Sequence, residues 1–223
     1  KGSKYDADAV KAAFGAMYAT QEVEAAQALI AEIWPEVAAA KAAALKAEIA
    51  ADLKTVPAQV AKLASTRAPE RYDAAMELGR ISPDDAASVR ALAQALDDEY
   101  AQVRSQAAIS LGWMQAKGAV DALVAKTASG DARLRRRAVQ ALGQIGDAKA
   151  IEAVTKALES EDSRTRRLAI VALGHLKAKG SVPRLLAIAK DGKAELGDRE
   201  SAIIALGFIG DASVVPDLET IRA

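Results

Sequence analysis

Apolar residues recur every three or four positions along most of this chain, a spacing that predicts amphipathic α-helices. The segment between Asp131 and Asp162 shows two such stripes in succession. The first stripe comprises Leu134, Ala138, Ala141, Leu142 and Ile145, and the second comprises Ile151, Val154 and Leu158. Gly143 and Gly146 predict the end of the first helix, and Asp147 predicts the start of the second. Neither helix can bury its stripe alone, so the pattern predicts a helix pair that packs against neighbouring pairs.

The same phrase returns along the chain at a nearly constant period. A Leu-Gly dipeptide occurs at Leu78-Gly79, Leu111-Gly112, Leu142-Gly143, Leu173-Gly174 and Leu206-Gly207. The glycines are 33, 31, 31 and 33 residues apart. The second stripes keep this period and begin at Val89, Val120, Ile151, Val182 and Val214. Repetition at this period predicts a solenoid of stacked helix pairs.

The first 70 residues follow the pattern less regularly. In residues 36–70, one stripe runs from Leu45 to Val56, and Val56-Pro57 then matches the start of a later second helix at Val182-Pro183. We interpret residues 36–70 as a degenerate repeat of two helices. Residues 1–35 carry two further stripes that end at Pro35. These predict an N-terminal helical hairpin or cap, or one more degenerate repeat.

The motif of the third unit reads Leu134-Arg135-Arg136-Arg137-Ala138-Val139-Gln140-Ala141-Leu142-Gly143-Gln144-Ile145-Gly146-Asp147, and the last unit adds Val215-Pro216-Asp217-Leu218. This text resembles the HEAT-repeat superfamily, in particular the short HEAT-like subtype first described in phycobilin lyases. The resemblance covers about residues 71–223 and implies an all-α fold, a right-handed α-solenoid of stacked antiparallel helix pairs. Five repeats are expected at about 71–100, 101–131, 132–162, 163–197 and 198–223. The functions of this superfamily are diverse, so the fold does not assign one.

One arginine stands eight positions before every repeat glycine: Arg71, Arg104, Arg135, Arg166 and Arg199. In HEAT-type repeats, which the chain resembles, this arginine hydrogen-bonds the turn between repeats, often through an aspartate of the preceding loop. Asp131 and Asp162 lie at suitable positions. We interpret the five arginines as a structural ladder, with a phosphate-binding ladder as the alternative.

Four further arginines are candidates for a binding surface. Arg133 and Arg164 stand ten positions before their glycines, and Arg136 and Arg167 stand seven positions before them. Because neighbouring helices pack roughly 8–10 Å apart, these side chains are expected to form a basic patch for phosphates or acidic partners. The acidic segment 159–162 offers the alternative, a neutralised and solvated face.

The position after each repeat glycine is the most variable one in the phrase. It holds Arg80, Trp113, Gln144, His175 and Phe208. Repeat proteins usually place recognition at variable positions of a constant frame, and aromatic side chains can anchor a partner there. The alternative is that Trp113 and Phe208 fill gaps between helices.

Composition and the absence of known motifs limit the functions that the chain is expected to have. The chain has 30 basic and 30 acidic side chains and 4% aromatic residues, which argues against a nucleic-acid or anionic membrane surface. It has no cysteine, and its only histidine, His175, is followed by Leu176. The HEAT-like enzymes that hydroxylate deoxyhypusine use repeated His-Glu pairs as iron ligands, and this sequence has none. Nucleophile-elbow and phosphate-loop motifs are also missing, so we predict no catalytic site, cofactor or metal.

The leading interpretation is a non-catalytic protein–protein interaction scaffold or adaptor that uses the solenoid surface to bind another protein. The first alternative is binding of nucleic acid or another polyanion through the arginine patch of repeats three and four. The second is a lyase-like or chaperone role, which rests only on the analogy with phycobilin lyases.

The ends of the sequence bear on its context. No apolar run reaches the roughly 20 residues that span a bilayer, so we expect a soluble protein, either cytoplasmic or exported after processing. The start Lys1-Gly2-Ser3, without methionine, fits a processed protein, a fragment or a tag remnant. The last stripe, Val214 to Ile221, has no distinct capping unit after it, which fits a longer native chain or an edge that docks onto something.

Overall fold

The computed structural model describes residue 32, residues 35–81 and residues 85–222. Every regular element in this part of the chain is a helix, which confirms the predicted all-α class. The α-helices are α1 (Pro35–Lys62), α2 (Ala68–Leu78), α3 (Ala86–Ala95), α4 (Ala101–Trp113), α5 (Val120–Lys126), α6 (Ala132–Ile145), α7 (Ile151–Lys156), α8 (Ser163–His175), α9 (Val182–Lys190), α10 (Leu196–Ile209) and α11 (Val215–Arg222). Short 3₁₀ turns are found at Lys117–Ala119, Ala148–Ala150, Ala157–Glu159, Lys179–Ser181 and Ala212–Val214.

The chain divides into two compact units, residues 1–52 and 53–223. In the first unit, the structure describes residue 32 and α1 from Pro35 onward. The hairpin predicted for residues 1–35 therefore lies almost entirely outside the described residues. In the second unit, helices α2 to α11 follow one another as the pairs α2–α3, α4–α5, α6–α7, α8–α9 and α10–α11.

Helix α1 is continuous where the sequence analysis predicts two helices. Pro57 lies inside it, and the preceding residue Val56 is buried in the core of the second unit. The segment before the proline is rich in alanine, the best helix former, and it contains no glycine. The proline removes one backbone donor without ending the helix. The helix boundary predicted at Val56-Pro57 is therefore wrong.

Local signals explain how each pair begins and ends, as the third pair shows. The carboxylate of Asp131 caps α6 by accepting hydrogen bonds from the backbone N–H groups of Arg133, at 2.9 Å, and Leu134, at 3.2 Å. Gly146 ends α6 in the left-handed conformation, with φ of 73°, which glycine adopts easily because it lacks a side chain. Asp147 then caps the next turn by accepting a backbone N–H at 2.9 Å. These signals at Gly146 and Asp147 act as the sequence predicts.

The core lies between the two helices of each pair and between successive first helices. The leucine of every Leu-Gly phrase is buried: Leu78, Leu111, Leu142, Leu173 and Leu206. Second helices contribute further buried side chains, including Leu92, Leu123, Val154 and Leu185. Burial of each leucine contributes about 1.5–3 kcal/mol. One continuous apolar cluster therefore connects the repeats from Val56 to Val214.

Repeat glycines lie where successive first helices touch. A Cβ at Gly143 would lie 2.7 Å from the Cβ of Ala172 in α8 and 2.9 Å from its Cα. In the same way Gly79, Gly112 and Gly174 face Ser110, Ala141 and Ala205. Such close backbones leave no room for a side chain at the glycine. Gly143 stays inside α6, so the expectation that it ends the first helix is wrong, and its role is packing.

Candidate binding groove

A groove of 1210 Å³ runs across the first helices of four successive repeats, α2, α4, α6 and α8. We call it the first-helix groove. Tyr72 of α2 and Tyr100, just before α4, line one end of it. Arginines of α6 and α8 line the other end: Arg133, Arg136, Arg137, Arg164 and Arg167. The four arginines predicted to form a binding patch thus lie in one groove, together with one that the sequence analysis did not single out.

Helix geometry explains why these side chains converge. Residues three, seven and eleven positions apart lie nearly on the same side of an α-helix, because they complete almost whole turns. In α6, Arg133, Arg136, Gln140 and Gln144 have this spacing. The first three line the groove, and Gln144, the residue after the repeat glycine, continues their side of the helix beyond it. The two predicted candidate sets therefore belong to one side of the first helices.

The predicted arginines of the groove differ in their partners. Arg136 donates a hydrogen bond to Asp162 at 3.0 Å. Arg167 donates to the Ser163 carbonyl at 3.3 Å, and it also lies 3.6 Å from a carboxylate oxygen of Asp198. Among the described residues, the exposed side chains at positions 133 and 164 have no hydrogen-bond or ion-pair partner. Of the four guanidinium groups, one is therefore paired with a carboxylate, one lies near a carboxylate that Arg166 already binds, and two have no such partner.

The residues that follow the repeat glycines are all exposed, and none of them lines the groove. Trp113 is 58% exposed, so it does not fill a gap between helices. Phe208 is 42% exposed and stacks on His175, with ring centroids 4.9 Å apart. Arg80 lies 3.9 Å from Glu77 on the preceding turn of its helix. The structure therefore places these residues at the C-terminal ends of the first helices, away from the arginine cluster.

Where its contacts are complete, a ladder arginine binds the turn before its own helix pair and the turn after that pair. Arg104 donates to the backbone carbonyls of Asp98, at 2.9 Å, and Glu99, at 3.0 Å, in the turn before α4. It also donates to the carboxylate of Asp131, at 2.6 Å, in the turn after α5. Its planar fork of donors allows it to bind both turns. The carboxylate partner therefore comes from the following turn, and the expectation of an aspartate in the preceding loop is wrong.

The other ladder positions follow this arrangement to different extents. Arg71 donates to both carboxylate oxygens of Asp98, at 2.7 and 3.0 Å, and Arg166 donates to Asp198 at 3.0 Å. Arg135 reaches only the backbone carbonyl before α6, at 2.6 Å, while its neighbour Arg136 takes the carboxylate of the next turn. Arg199 donates one bond of 3.4 Å to a backbone carbonyl. The contacts are complete at three positions and partial at two.

Three of these aspartates, Asp98, Asp131 and Asp162, are held in their ionised form. The hydroxyl of Thr165 donates to Asp162 at 2.7 Å and, with Arg136 and against the effect of burial, lowers the pKa of this carboxyl group to about 2. Burial alone would raise the pKa of Asp98 and Asp131, but hydrogen bonds from Arg71 and Arg104 lower both. These pairs therefore stabilise the turns most when the carboxylates are charged.

The groove also contains polar residues that sequence reasoning missed. Ser105 is 6% exposed and lines the groove, and its hydroxyl has no hydrogen-bond partner among the described residues. It stands seven positions before Gly112, the position that holds Tyr72 in repeat one and Arg136 in repeat three. Aligning the five repeats by their glycines and comparing this column would have found it.

Two further properties concern the part of the chain that the structure describes. It contains no group of three or more His, Cys, Asp or Glu residues placed to hold a metal ion. It also contains no helix that is long and apolar enough to cross a membrane.

Comparison with known proteins gives one family match. A family model described as HEAT repeats matches residues 56–131 and 120–198, which together make up more than half of the chain. No curated protein sequence matches the chain significantly.

Several solved structures are similar to this fold. Human deoxyhypusine hydroxylase in complex with glycerol is 21% identical over 78% of this chain and 69% of that chain, with a TM-score of 0.53. A computationally designed armadillo repeat protein for modular peptide recognition is 18% identical over 74% of this chain and 91% of its own, with a TM-score of 0.51. The complex of CpcE and CpcF of phycocyanin lyase from Nostoc sp. is 23% identical over 74% of this chain and 80% of that chain, but its TM-score of 0.45 is too low to support an inference. At these identities the likeness shows the fold alone.

Proposed function

Because the chain belongs to the HEAT-repeat family, we propose that it is a non-catalytic binding module that holds a segment of another protein in the first-helix groove. The family match shows the repeat scaffold. The observation that carries the binding role is the groove itself, which crosses four successive first helices and gathers the predicted arginines at one end.

The size and lining of the groove support a macromolecular ligand. Its volume of 1210 Å³ exceeds the range of about 300–1,000 Å³ that is usual for small-molecule pockets. Tyrosine and arginine, the residue types that often dominate protein interfaces, line its two ends. Its wall is open to solvent along four repeats, which suits a polypeptide segment lying across the helices.

The titratable side chains of the groove support binding rather than catalysis. They are five arginines, Tyr72, Tyr100 and Asp73. Arginine remains protonated, so it holds anionic groups and does not exchange protons. Histidine, glutamate and lysine, which with aspartate often transfer protons in catalysis, do not line it, and Asp73 is its one carboxylate. This lining is therefore suited to holding a charged partner in place.

A steric block of the groove tests the proposal. Gln102 is exposed and lines the groove on α4, and Gln94 is exposed on the second helix α3, so Gln102→Trp and Gln94→Trp make the same change inside and outside it. In affinity capture from lysate of the source organism, read by mass spectrometry after nuclease treatment, we expect Gln102→Trp to lose partners that Gln94→Trp retains. If both variants capture the same proteins as the unchanged chain, the groove is not the binding site. Circular dichroism checks that both variants fold.

One observation favours polyanion binding as a second candidate. Five guanidinium groups share the arginine end of the groove, and arginine forks bind phosphate well. Capture that disappears after nuclease treatment would support this candidate. A steep fall of oligonucleotide affinity with salt concentration would support it further, because neutralised phosphates release counterions.

A further inference from the structure

We propose that the segment held in the first-helix groove is extended and acidic, with two carboxylate side chains three residues apart that pair with Arg133 and Arg164. This inference rests on the proposed function and names the chemistry of the partner. It is carried by the charge of the groove, the spacing of its unpaired cations and an unsatisfied hydroxyl in its wall.

The charge of the groove is concentrated and only partly neutralised. The chain as a whole has equal numbers of basic and acidic side chains. The groove nevertheless holds five arginines against one carboxylate, Asp73. Arg136 is paired with an aspartate, and Arg167 has a carboxylate oxygen 3.6 Å away. Charge complementarity therefore favours an acidic ligand, and it favours contact with the arginines that are still unpaired.

Three arginines of the groove are exposed and have no carboxylate partner: Arg137, which donates to the neutral amide of Gln140 at 2.9 Å, and two others that have no side-chain partner and a defined spacing. Arg133 and Arg164 occupy the same position of successive repeats, ten residues before Gly143 and Gly174. The glycine contact brings α6 and α8 close together, and tightly packed helices lie about 8 Å apart. An extended segment in the polyproline II conformation advances about 3.1 Å per residue with three residues per turn, so residues three apart lie on the same side of the segment, about 9 Å from each other. Two acidic residues with two others between them therefore match this pair of guanidinium groups, given the length of the arginine side chain.

The wall of the groove offers a partner for the backbone of such a segment. The hydroxyl of Ser105 is buried and has no partner among the described residues, and leaving such a group unpaired costs free energy. An extended peptide has regularly spaced carbonyl oxygens that can accept a hydrogen bond from this hydroxyl once the side chains that cover it move aside. Gln102 and Gln140 also line the groove, and their amides both donate and accept. These neutral groups suit a polypeptide backbone better than a chain of phosphates.

The tyrosine end of the groove suits one apolar side chain of the ligand. Tyr72 is 37% exposed and Tyr100 is 48% exposed, and both line the groove. The ring of Tyr100 also lies over the guanidinium of Arg71, 5.2 Å from its carbon, which holds the ring in place. An apolar residue on the repeat-two side of the acidic pair would lie against these rings.

Fluorescence anisotropy with a defined peptide tests this inference. The probe is a fluorescein-labelled ten-residue peptide of serine and glycine that carries one leucine followed by two glutamates three positions apart. We expect it to bind the full chain, and we expect Arg133→Gln and Arg164→Gln each to weaken binding about fivefold. Peptides with two glutamines, or with the glutamates adjacent, should bind more weakly than the probe.

Reversing the charge of both arginines is the decisive experiment. Arg133→Glu with Arg164→Glu should abolish binding of the glutamate peptide and create binding of the same peptide with two lysines. Arg90 and Lys156 are exposed on second helices and have no described side-chain partner. Arg90→Glu with Lys156→Glu is therefore the matched control, and it should leave the affinity within twofold. Loss of binding in this control as well would show that only overall charge matters and would overturn the inference.

The remaining outcomes separate this inference from the proposed function. If the acidic peptide does not bind but Gln102→Trp still loses its captured partner, the acidic pattern is wrong and the binding role stands. If Gln102→Trp still captures every partner of the unchanged chain, the proposed function itself is wrong. If fluorescein-labelled oligothymidine binds more tightly than the peptide, with a steep salt dependence, the groove is a nucleic-acid site and the inference is overturned.

Discussion

Replacing Gly143 with alanine adds one methyl group at the contact between α6 and α8. The new Cβ would lie 2.7 Å from the Cβ of Ala172 and 2.9 Å from its Cα. Carbon atoms pack favourably at about 3.5–4.0 Å, so the helices must separate locally by about 1 Å. An extra methylene in a packed core costs about 1–3 kcal/mol, while alanine gains about 1 kcal/mol over glycine in a helix interior. We expect a net destabilisation of up to about 2 kcal/mol.

Gly207 is the matched control, because it stands at the equivalent position in α10, the first helix of the final repeat. A Cβ at Gly207 would meet nothing within 4 Å. Gly207→Ala therefore keeps the gain in helix propensity and avoids the clash, so it should stabilise the protein by about 0.5–1 kcal/mol. The two substitutions are chemically identical, and the structure predicts opposite signs.

Urea unfolding of both variants and the unchanged chain measures this difference. Repeat arrays can unfold in steps, so far-UV circular dichroism and tryptophan fluorescence should be followed together. The midpoint should fall for Gly143→Ala and rise for Gly207→Ala, with Gly174→Ala behaving like the former. Shifts of the same sign and size at both positions would show that the glycines do not serve helix packing, which would refute the reasoning.

Three further predictions follow from the turns and from α1. Thr165→Val removes the hydroxyl that lowers the pKa of Asp162 to about 2, so this pKa should rise towards its ordinary value of 3.8 in an NMR titration. The ionised carboxylate stabilises the fold above about pH 4, and this stabilisation is lost as the pH falls through about 2. Acid unfolding of the variant should therefore begin at a higher pH than that of the unchanged chain. An unchanged pKa of Asp162 would contradict this prediction. Arg71→Leu should lower the free energy of unfolding by about 3–5 kcal/mol, because it leaves mostly buried carboxylate oxygens unpaired. Arg199→Leu removes one hydrogen bond of 3.4 Å and should lower it by less than about 1 kcal/mol. Equal losses in thermal unfolding would argue against the structural role of the ladder. Pro57→Ala restores a backbone donor inside α1 and should stabilise that helix by about 1–3 kcal/mol in hydrogen exchange, while a loss of stability would indicate a helix that starts at the proline.

The helix pairs could be predicted from the sequence because their signals are local. Apolar spacing, the left-handed Gly146 and the capping Asp147 act within a few residues, so each can be recognised without knowing the fold. Helix α1 shows where local signals conflict. A proline after a valine resembles the start of a second helix, but the alanine-rich segment before it favours helix strongly enough to continue through Pro57. Such a balance of propensities cannot be decided from a motif match.

The role of the repeat glycines could not be read from one chain segment. Glycine inside a helix normally lowers stability, so the local sequence predicts that Gly143 ends a helix. Its actual partner, Ala172, is almost one full repeat away, and the contact exists only once the repeats stack. The alignment of repeats does contain the signal. A small residue, serine or alanine, stands two positions before each of the later repeat glycines and faces the glycine of the repeat before it.

The arginines show why identical residues at one position of successive repeats do not by themselves define a binding site. Arg133 and Arg136 line the same groove, yet one has no described partner and the other is paired with Asp162. The difference arises in the ladder: Arg135 reaches only the turn before its helix, so the carboxylate of the next turn is left for Arg136. In the next repeat, Arg166 donates to the carboxylate of Asp198, and Arg167 lies at a longer distance from the same carboxylate. The positive charge available to a ligand is therefore set by which arginine satisfies each turn, and that depends on helix packing as well as on sequence.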